Sequence, residues 1–487
     1  MPRRSFAFAL FALVLSTSGC ERNVGRLIVK LLPSAVDADN PLASSVSELR
    51  FRVDGPEGLT GPVTISLDGT GELPGIPTGD GQVVTVEGVL SNVPKSRARS
   101  APLRIDEGNN VIELFMGFIG QFSRAPARAV DGSGDGGLST PRAFHTTTLL
   151  GNGKLLVVGG VDPSSWRPEQ NMAVPALASV ERAHQDSLRF ERVECLADTC
   201  TPRALHTATR LPDGSVIIAG GQQQGAPVAK LLTFIPEQGF FVSGSLGTAF
   251  SEHAAAARGD NAVLVGGRGG QSGSGALGGV TLVNGGGVVP EPHPGLLQPR
   301  RAHALIRLDD GRLVAIGGFD AGGRALASIE IHTPGSPVWT QGPNLETARA
   351  HLRVARLGDS YIVSGGLGDG GVAVNKLERL RIDGETLTVE EVGQLPTAVW
   401  AHTATALDAT VQLVIGGFAD SVNGGQTNIV TELRLLDSGN VQITPLQARL
   451  NQPRAGHTAT LLGSGNVVVI GGVGPSPSET VEIYVAP

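Results

Sequence analysis

The chain has 487 residues, 68 of them glycine and 31 proline, and only 4% are aromatic. That composition excludes an architecture of long helices and leaves room for two or three domains built from short elements and turns. A formal net charge of −7, spread without runs of one sign, gives no electrostatic footprint for nucleic acid or for an anionic membrane surface.

The chain starts "MPRRSFAFALFALVLSTSGC". A basic start at Arg3 and Arg4, an apolar run from Phe6 to Leu15 and small residues before Cys20 read as a signal peptide over 1–19, too short to span a bilayer permanently. Thr17-Ser18-Gly19-Cys20 resembles the lipobox of bacterial lipoproteins, with Thr17 where that family usually has leucine. The resemblance implies cleavage before Cys20 and lipid attachment to it. The protein is thus expected to be exported and held at the cell envelope, touching the membrane through its lipid alone. Arg3-Arg4-Ser5-Phe6 also resembles part of a twin-arginine export signal. Beyond Cys20 two cysteines remain, Cys195 and Cys200 in "CLADTC", and a disulfide between them is expected in an oxidising compartment. Metal ligation there would need two further ligands nearby, and the sequence offers none.

From residue 20 to 118, runs such as "RLIVKLL", "SELRFRV", "VTISL", "QVVTVEGV" and "NVIELFM" are short, rich in β-branched residues and separated by Gly, Pro and Asp. They predict five or six strands in a small immunoglobulin-like β-sandwich. Residues 119–137 read as a linker. Asp131, Ser133, Asp135 and Gly136 have the spacing that opens a calcium loop, but Arg142 stands where the loop needs its bidentate glutamate, so a Gly/Ser linker is the better reading.

Residues 138–487 repeat. The stretch "RAFHTTTLLGNGKLLVVGG" recurs in seven copies, each with a histidine ahead of a glycine pair. The histidines are His145, His206, His253, His303, His351, His402 and His457; each lies fourteen residues before its first glycine, except thirteen in the third copy. The pairs are Gly159-Gly160, Gly220-Gly221, Gly266-Gly267, Gly317-Gly318, Gly365-Gly366, Gly416-Gly417 and Gly471-Gly472. Turns such as "GNGK", "PDGS" and "DDGR" between two apolar runs predict a hairpin in each copy. A third run ("SVERA", "SIEIH", "TVEIYV") and a fourth ("VWTQGP") complete a four-stranded antiparallel sheet.

This pattern resembles kelch repeats: the fourth copy supplies the family's arginine, histidine, double glycine, acidic third strand and tryptophan in Arg300, His303, Gly317, Gly318, Glu330 and Trp339. Arg142, Arg203 and Arg454 match in copies one, two and seven, whereas Phe250 and Val399 replace the arginine in copies three and six. The resemblance implies an all-β, seven-bladed propeller. Because the last copy stops after its third strand, its outer strand is expected from 120–130. The histidines are expected to be structural, satisfying buried backbone groups. Metal binding would require them within about 2 Å of one ion, which sevenfold separation prevents. The arginines and the third-strand glutamates Glu181, Glu330, Glu378, Glu432 and Glu482 are expected to pair within the structure.

Two functions compete. One is a non-catalytic binding module whose loops after the glycine pairs contact a protein or polymer, with Trp166 as either an anchor or a rim cover. The other is an enzyme: kelch propellers include copper-radical oxidases that need linked cysteine and tyrosine plus further tyrosine and histidine ligands. This chain has only Tyr361 and Tyr484. Sialidase-like Asp-box repeats are absent from the sequence. The reading is therefore binding, with no catalytic residue, cofactor or metal assigned.

Overall fold

The computed structural model describes residues 24–34, 36–43, 46–66, 76–126, 137–166, 174–194, 200–270, 275–290, 293–419, 425–475 and 480–487. The signal segment with Cys20, the calcium-like spacing from Asp131 to Gly136, and Cys195 lie outside them. Every long element among the described residues is a strand.

The described strands between 24 and 118 form one hydrogen-bonded path. The Val24–Pro33 strand pairs in parallel with Gly108–Phe118, from Gly25 opposite Gly108 to Pro33 opposite Met116. The latter strand then changes partner, and its last residues, Gly117 and Phe118, pair with Arg97 and Ser96. Gly117 stands at this change; a Cβ there would lie 2.9 Å from the Phe115 ring and from Val485. Alternation of apolar and polar residues turns Leu49, Phe51 and Val53 inward against Leu27, Val29, Val84, Val86, Leu114 and Met116. These strands enclose one core and are joined in a single hydrogen-bonded path.

Seven four-stranded antiparallel sheets follow among the described residues. Their innermost strands are Thr146–Leu149, Thr207–Arg210, Ala254–Arg258, Ala304–Arg307, Arg353–Leu357, Thr403–Ala406 and Thr458–Leu461. Each lies against the next, and the last against the first, which closes the cycle. The final sheet takes its outer strand from before the first repeat: Phe122–Arg124 pairs with Val481–Tyr484, Phe122 opposite Tyr484. Second strands such as Lys154–Val158, from Leu155 on, and Val467–Ile470 are buried on both faces because a neighbouring sheet covers each side.

The N-terminal domain docks on the first and last sheets. Phe115 enters their shared core with Leu155, Val468 and Ile483. Its backbone N–H donates to Asp186 O at 2.8 Å, while Ala101 N–H donates to Asp186 Oδ1 at 3.0 Å. Arg97 Nη1 reaches Ala486 O at 3.1 Å, and Gly120 N reaches Val485 O at 2.7 Å.

The double glycine is a steric requirement. Gly159 and Gly160 have φ of +63° and +100°. A Cβ on Gly159 would sit 2.4 Å from Arg203 O of the next sheet, and one on Gly160 would sit 2.7 Å from Ala143 O of its own. The first glycine admits the neighbour and the second admits the incoming strand.

Candidate functional site at the channel mouth

Within each sheet the repeated polar residues form two kinds of tie. In the first sheet Arg142 donates from Nη1 to Gly159 O (2.7 Å) and Ser179 O (3.0 Å), and from Nη2 to Glu181 Oε1 (2.7 Å). Glu181 also accepts the backbone N–H groups of Ser139 and Thr140. One carboxylate therefore holds the guanidinium and the segment that carries it. The same unit occurs at Arg300–Glu330, Arg349–Glu378 and Arg454–Glu482, all side chains fully buried. Burial lowers the pKa of each arginine, and its glutamate opposes that shift.

Glu432, expected to belong to this set, does not. It pairs with Leu413, whereas the equivalent register in the sixth sheet, opposite Val414, holds Thr431. One step along a strand reverses the face, and Glu432 meets Arg434 at the surface instead. In the third and sixth sheets both members are gone together: Phe250 with Thr281, and Val399 with Thr431. The second sheet is the exception. Arg203 is fully buried, Leu232 stands where the glutamate would be, Nη2 has no hydrogen-bond partner among the described residues, and burial pushes its pKa down to about 10.

The histidines tie one sheet to the preceding one. His206 Nε2 lies 2.9 Å from Thr146 Oγ1, His253 Nε2 2.8 Å from Thr207 Oγ1, His457 Nε2 3.2 Å from Thr403 Oγ1, and His145 Nε2 3.1 Å from Thr458 Oγ1. The partners are hydroxyls of the neighbour, not the backbone groups the sequence suggested. Burial drives all these rings to the neutral form: His253 and His457 fall to about 3, His145 and His206 well below the usual value. Where alanine replaces the threonine, at Ala254, both ring nitrogens of His303 are unpaired; His402 faces Ser364 Oγ instead, at 2.9 Å.

His351 is not in the set. In the fifth sheet its place is taken by Leu352, whose side chain approaches Gly317 as His206 approaches Gly159. The hairpin of this copy is one residue shorter, like that of the third, so counting fourteen back from Gly365 lands one residue early. The same shift reveals Arg349, three before Leu352, as the arginine of the repeat.

His351 instead occupies the position before the tie, where the backbone turns left-handed at Phe144, Leu205, Glu252, Ala302, His351 and Ala401 (φ +50° to +55°) and at Gly456 (φ +64°). These residues form an annulus. N–H groups donate from Gly456 to Ala401 O, Phe144 to Gly456 O, Leu205 to Phe144 O, Glu252 to Leu205 O, Ala302 to Glu252 O and His351 to Ala302 O. Around it the side chains do not repeat. Glu252 receives Arg301 Nη1 at 2.6 Å and Arg268 Nη1 at 3.5 Å. Burial alone would raise its pKa, but Arg301 and the other cationic partners outweigh burial and hold it low. Arg301 covers the Phe319 ring at 5.0 Å. Phe319, His351, Trp400, Phe418, Trp166 and Phe144 then follow at centroid separations of 5.9, 5.7, 4.7, 5.0 and 5.8 Å. Trp166 is buried in this row, stacked on Phe418, and so acts as a cover for the rim. Sequence reasoning missed Glu252, Arg268, Arg301 and Trp400 because they vary from copy to copy; their flanking of the repeat histidines and glycine pairs was the available signal.

No family model matches the chain. The chain is 27% identical over 158 residues to Kelch-like protein 34 of Homo sapiens, a stretch covering 32% of this chain. It spans about a quarter of that relative's length (24%). The repeats are thus similar to kelch repeats over that stretch, and the sheets close into a ring as in a β-propeller. A solved structure of YjhT superposes with a TM-score of 0.44 at 12% identity, covering 63% of this chain and 98% of that one. The described residues hold no cluster of three metal-ligating side chains.

Proposed function

We propose that the protein is a seven-bladed kelch propeller, exported and anchored at the bacterial cell envelope by lipid on Cys20, that binds a protein or polymer at the channel-mouth face without chemistry of its own. The observation that carries this reading is the distribution of variation. The arginine, glutamate, histidine and glycine positions are occupied by structural ties, and the residues that differ between copies gather round one annulus. There Glu252, Arg268, Arg301, Phe319, His351 and Trp400 give a charged arc continuous with an aromatic one, on rigid backbone and over the buried Phe418. Cys200 is disulfide-bonded, which supports an oxidising compartment.

The test is a photo-reactive residue at exposed Ala321, beside Phe319, in the full-length protein in intact bacterial cells. A discrete envelope adduct that disappears in Arg301→Ala and Trp400→Ala is expected; an adduct pattern indifferent to both variants refutes the face assignment. Cys20→Ala should abolish metabolic labelling with a palmitate analogue.

A further inference from the structure

Inside the annulus the innermost strands surround a cavity of about 360 Å³, lined by Phe144, Leu205, Thr147, Thr403, Thr458 and Arg353 among others. We propose that this cavity binds a small organic carboxylate, held by the Arg353 guanidinium. The site lies within the ring, below the mouth assigned to a macromolecular partner, and is independent of that assignment.

Four observations converge. First, Arg353 is the one formal charge among the described residues of the lining. The other titratable groups there, His145, His206 and His457, are kept neutral by burial, and none of the described lining residues is a carboxylate. Second, the arginine is not required by the repeat. Its counterparts at the start of each innermost strand are Thr146, Thr207, Ala254, Ala304, Thr403 and Thr458, none of them cationic. Third, the guanidinium is only partly used. Nε donates to His402 O at 3.0 Å and Nη1 to Leu352 O at 3.2 Å. The residue remains exposed where it lines the cavity. Burial lowers its pKa with no acid opposing the shift, unlike the arginines paired with glutamate. A cation without a nearby counter-charge in a channel walled by protein attracts anions, and an oxyanion meets its free N–H groups through a charge-assisted, bidentate contact. Fourth, the rest of the wall fits an organic body, with Phe144, Leu205, Ala404 and Ala459 apolar and threonine hydroxyls between them. The volume lies near the lower end of small-molecule sites, roughly 300–1,000 Å³.

The simpler role for Arg353 is to tie the fifth sheet to the sixth through His402 O, and the experiment separates the two. Isothermal titration of the purified full chain uses sodium benzoate, neutral benzamide and inorganic phosphate. Saturable benzoate binding is expected, at least 10-fold tighter than benzamide or phosphate. R353Q should weaken benzoate roughly 10–100-fold, the size of a lost charged hydrogen-bond pair. A459F leaves Arg353 in place and fills the cavity, so it should abolish benzoate binding while the melting temperature stays that of a folded ring. Equal affinity for benzoate and benzamide, preference for phosphate, absence of saturable benzoate binding, or wild-type binding by a folded A459F would each overturn the proposal. Loss of binding in Arg301→Ala but not in R353Q would also overturn it, since that would place the anion at the mouth.

Discussion

The arginine–glutamate units make a quantitative prediction, because the chain already contains sheets without them. Consider Glu330→Thr, which gives the fourth sheet the residue that the third carries at Thr281. The change removes the partner of Arg300 Nη2 (2.5 Å) and strips the backbone N–H groups of Leu297 and Gln298 of their acceptor, at 2.6 and 3.0 Å. Breaking a buried pair costs about 3–5 kcal/mol, and each orphaned donor adds about 1 kcal/mol or more. A loss near 5 kcal/mol is expected, comparable to the whole stability of many domains. Arg300→Phe alone, matching Phe250, leaves Glu330 its two N–H donors and should cost about 3 kcal/mol. The double variant recreates the third sheet's combination and should cost only about 2–3 kcal/mol, since replacing both partners with packed neutral groups is nearly neutral and what remains is chiefly the two N–H groups that lose Glu330, about 1 kcal/mol each. The singles and the double should therefore differ from additivity by at least about 3 kcal/mol. Equilibrium unfolding in urea, followed by both tryptophan fluorescence and circular dichroism, measures the midpoints and tests that the two transitions coincide. A double variant equal to the sum of its singles within about 0.5 kcal/mol refutes the paired account.

Two further outcomes are expected. His253 and His457 have folded pKa values of about 3 against an unfolded value of about 6.5, so the unfolded chain takes up protons first on acidification. Their stabilising contribution is complete above about pH 6.5 and is lost as pH falls towards 3, at up to about 1.4 kcal/mol per pH unit for each ring; the urea midpoint should drop steadily from pH 7 to pH 4, and a flat profile would show that the rings are not buried neutral. Phe122→Ala removes a 6%-exposed ring that packs 5.1 Å from Tyr484. It should cost about 3–5 kcal/mol and lower the melting temperature by roughly 10 °C; an unchanged transition would mean that the seam between the first and last repeats does not hold the ring.

The glycine pairs were readable from sequence because their geometry admits one residue type: a left-handed φ and an oxygen within 2.5 Å of the missing Cβ at Gly159 leave no alternative. Seven such pairs, phased with the histidines, made the ring of repeated sheets legible. Register was harder. At His351 a histidine happened to stand one residue before the structural position, and a shortened hairpin disguised the slip; accepting a spacing of thirteen, as in the third copy, would have found both Leu352 and Arg349. Glu432 failed for the same reason, since a strand presents opposite faces at successive residues. The parallel pairing of Val24–Pro33 with Gly108–Phe118 was illegible because strand periodicity says which face is buried but not which distant strand lies alongside. Arg353 was invisible as a site residue because its isolation from any carboxylate exists only once the ring is closed.

The seam between Phe122–Arg124 and Val481–Tyr484 also orders events in time. The outer strand of the last sheet is synthesised before the whole of the array it completes, and its partner emerges last. Six sheets can form by joining residues close in sequence, within microseconds to milliseconds of their appearance. The seventh waits for two segments more than 350 residues apart to meet (Phe122 and Tyr484), and loop-closure entropy makes that encounter the slow one. Until it happens, both flanks of the incomplete ring expose unpaired strand edges. The docked N-terminal domain, which carries the Phe122 strand against the first and last sheets, shortens that search by bringing one half of the final contact to where the other will arrive.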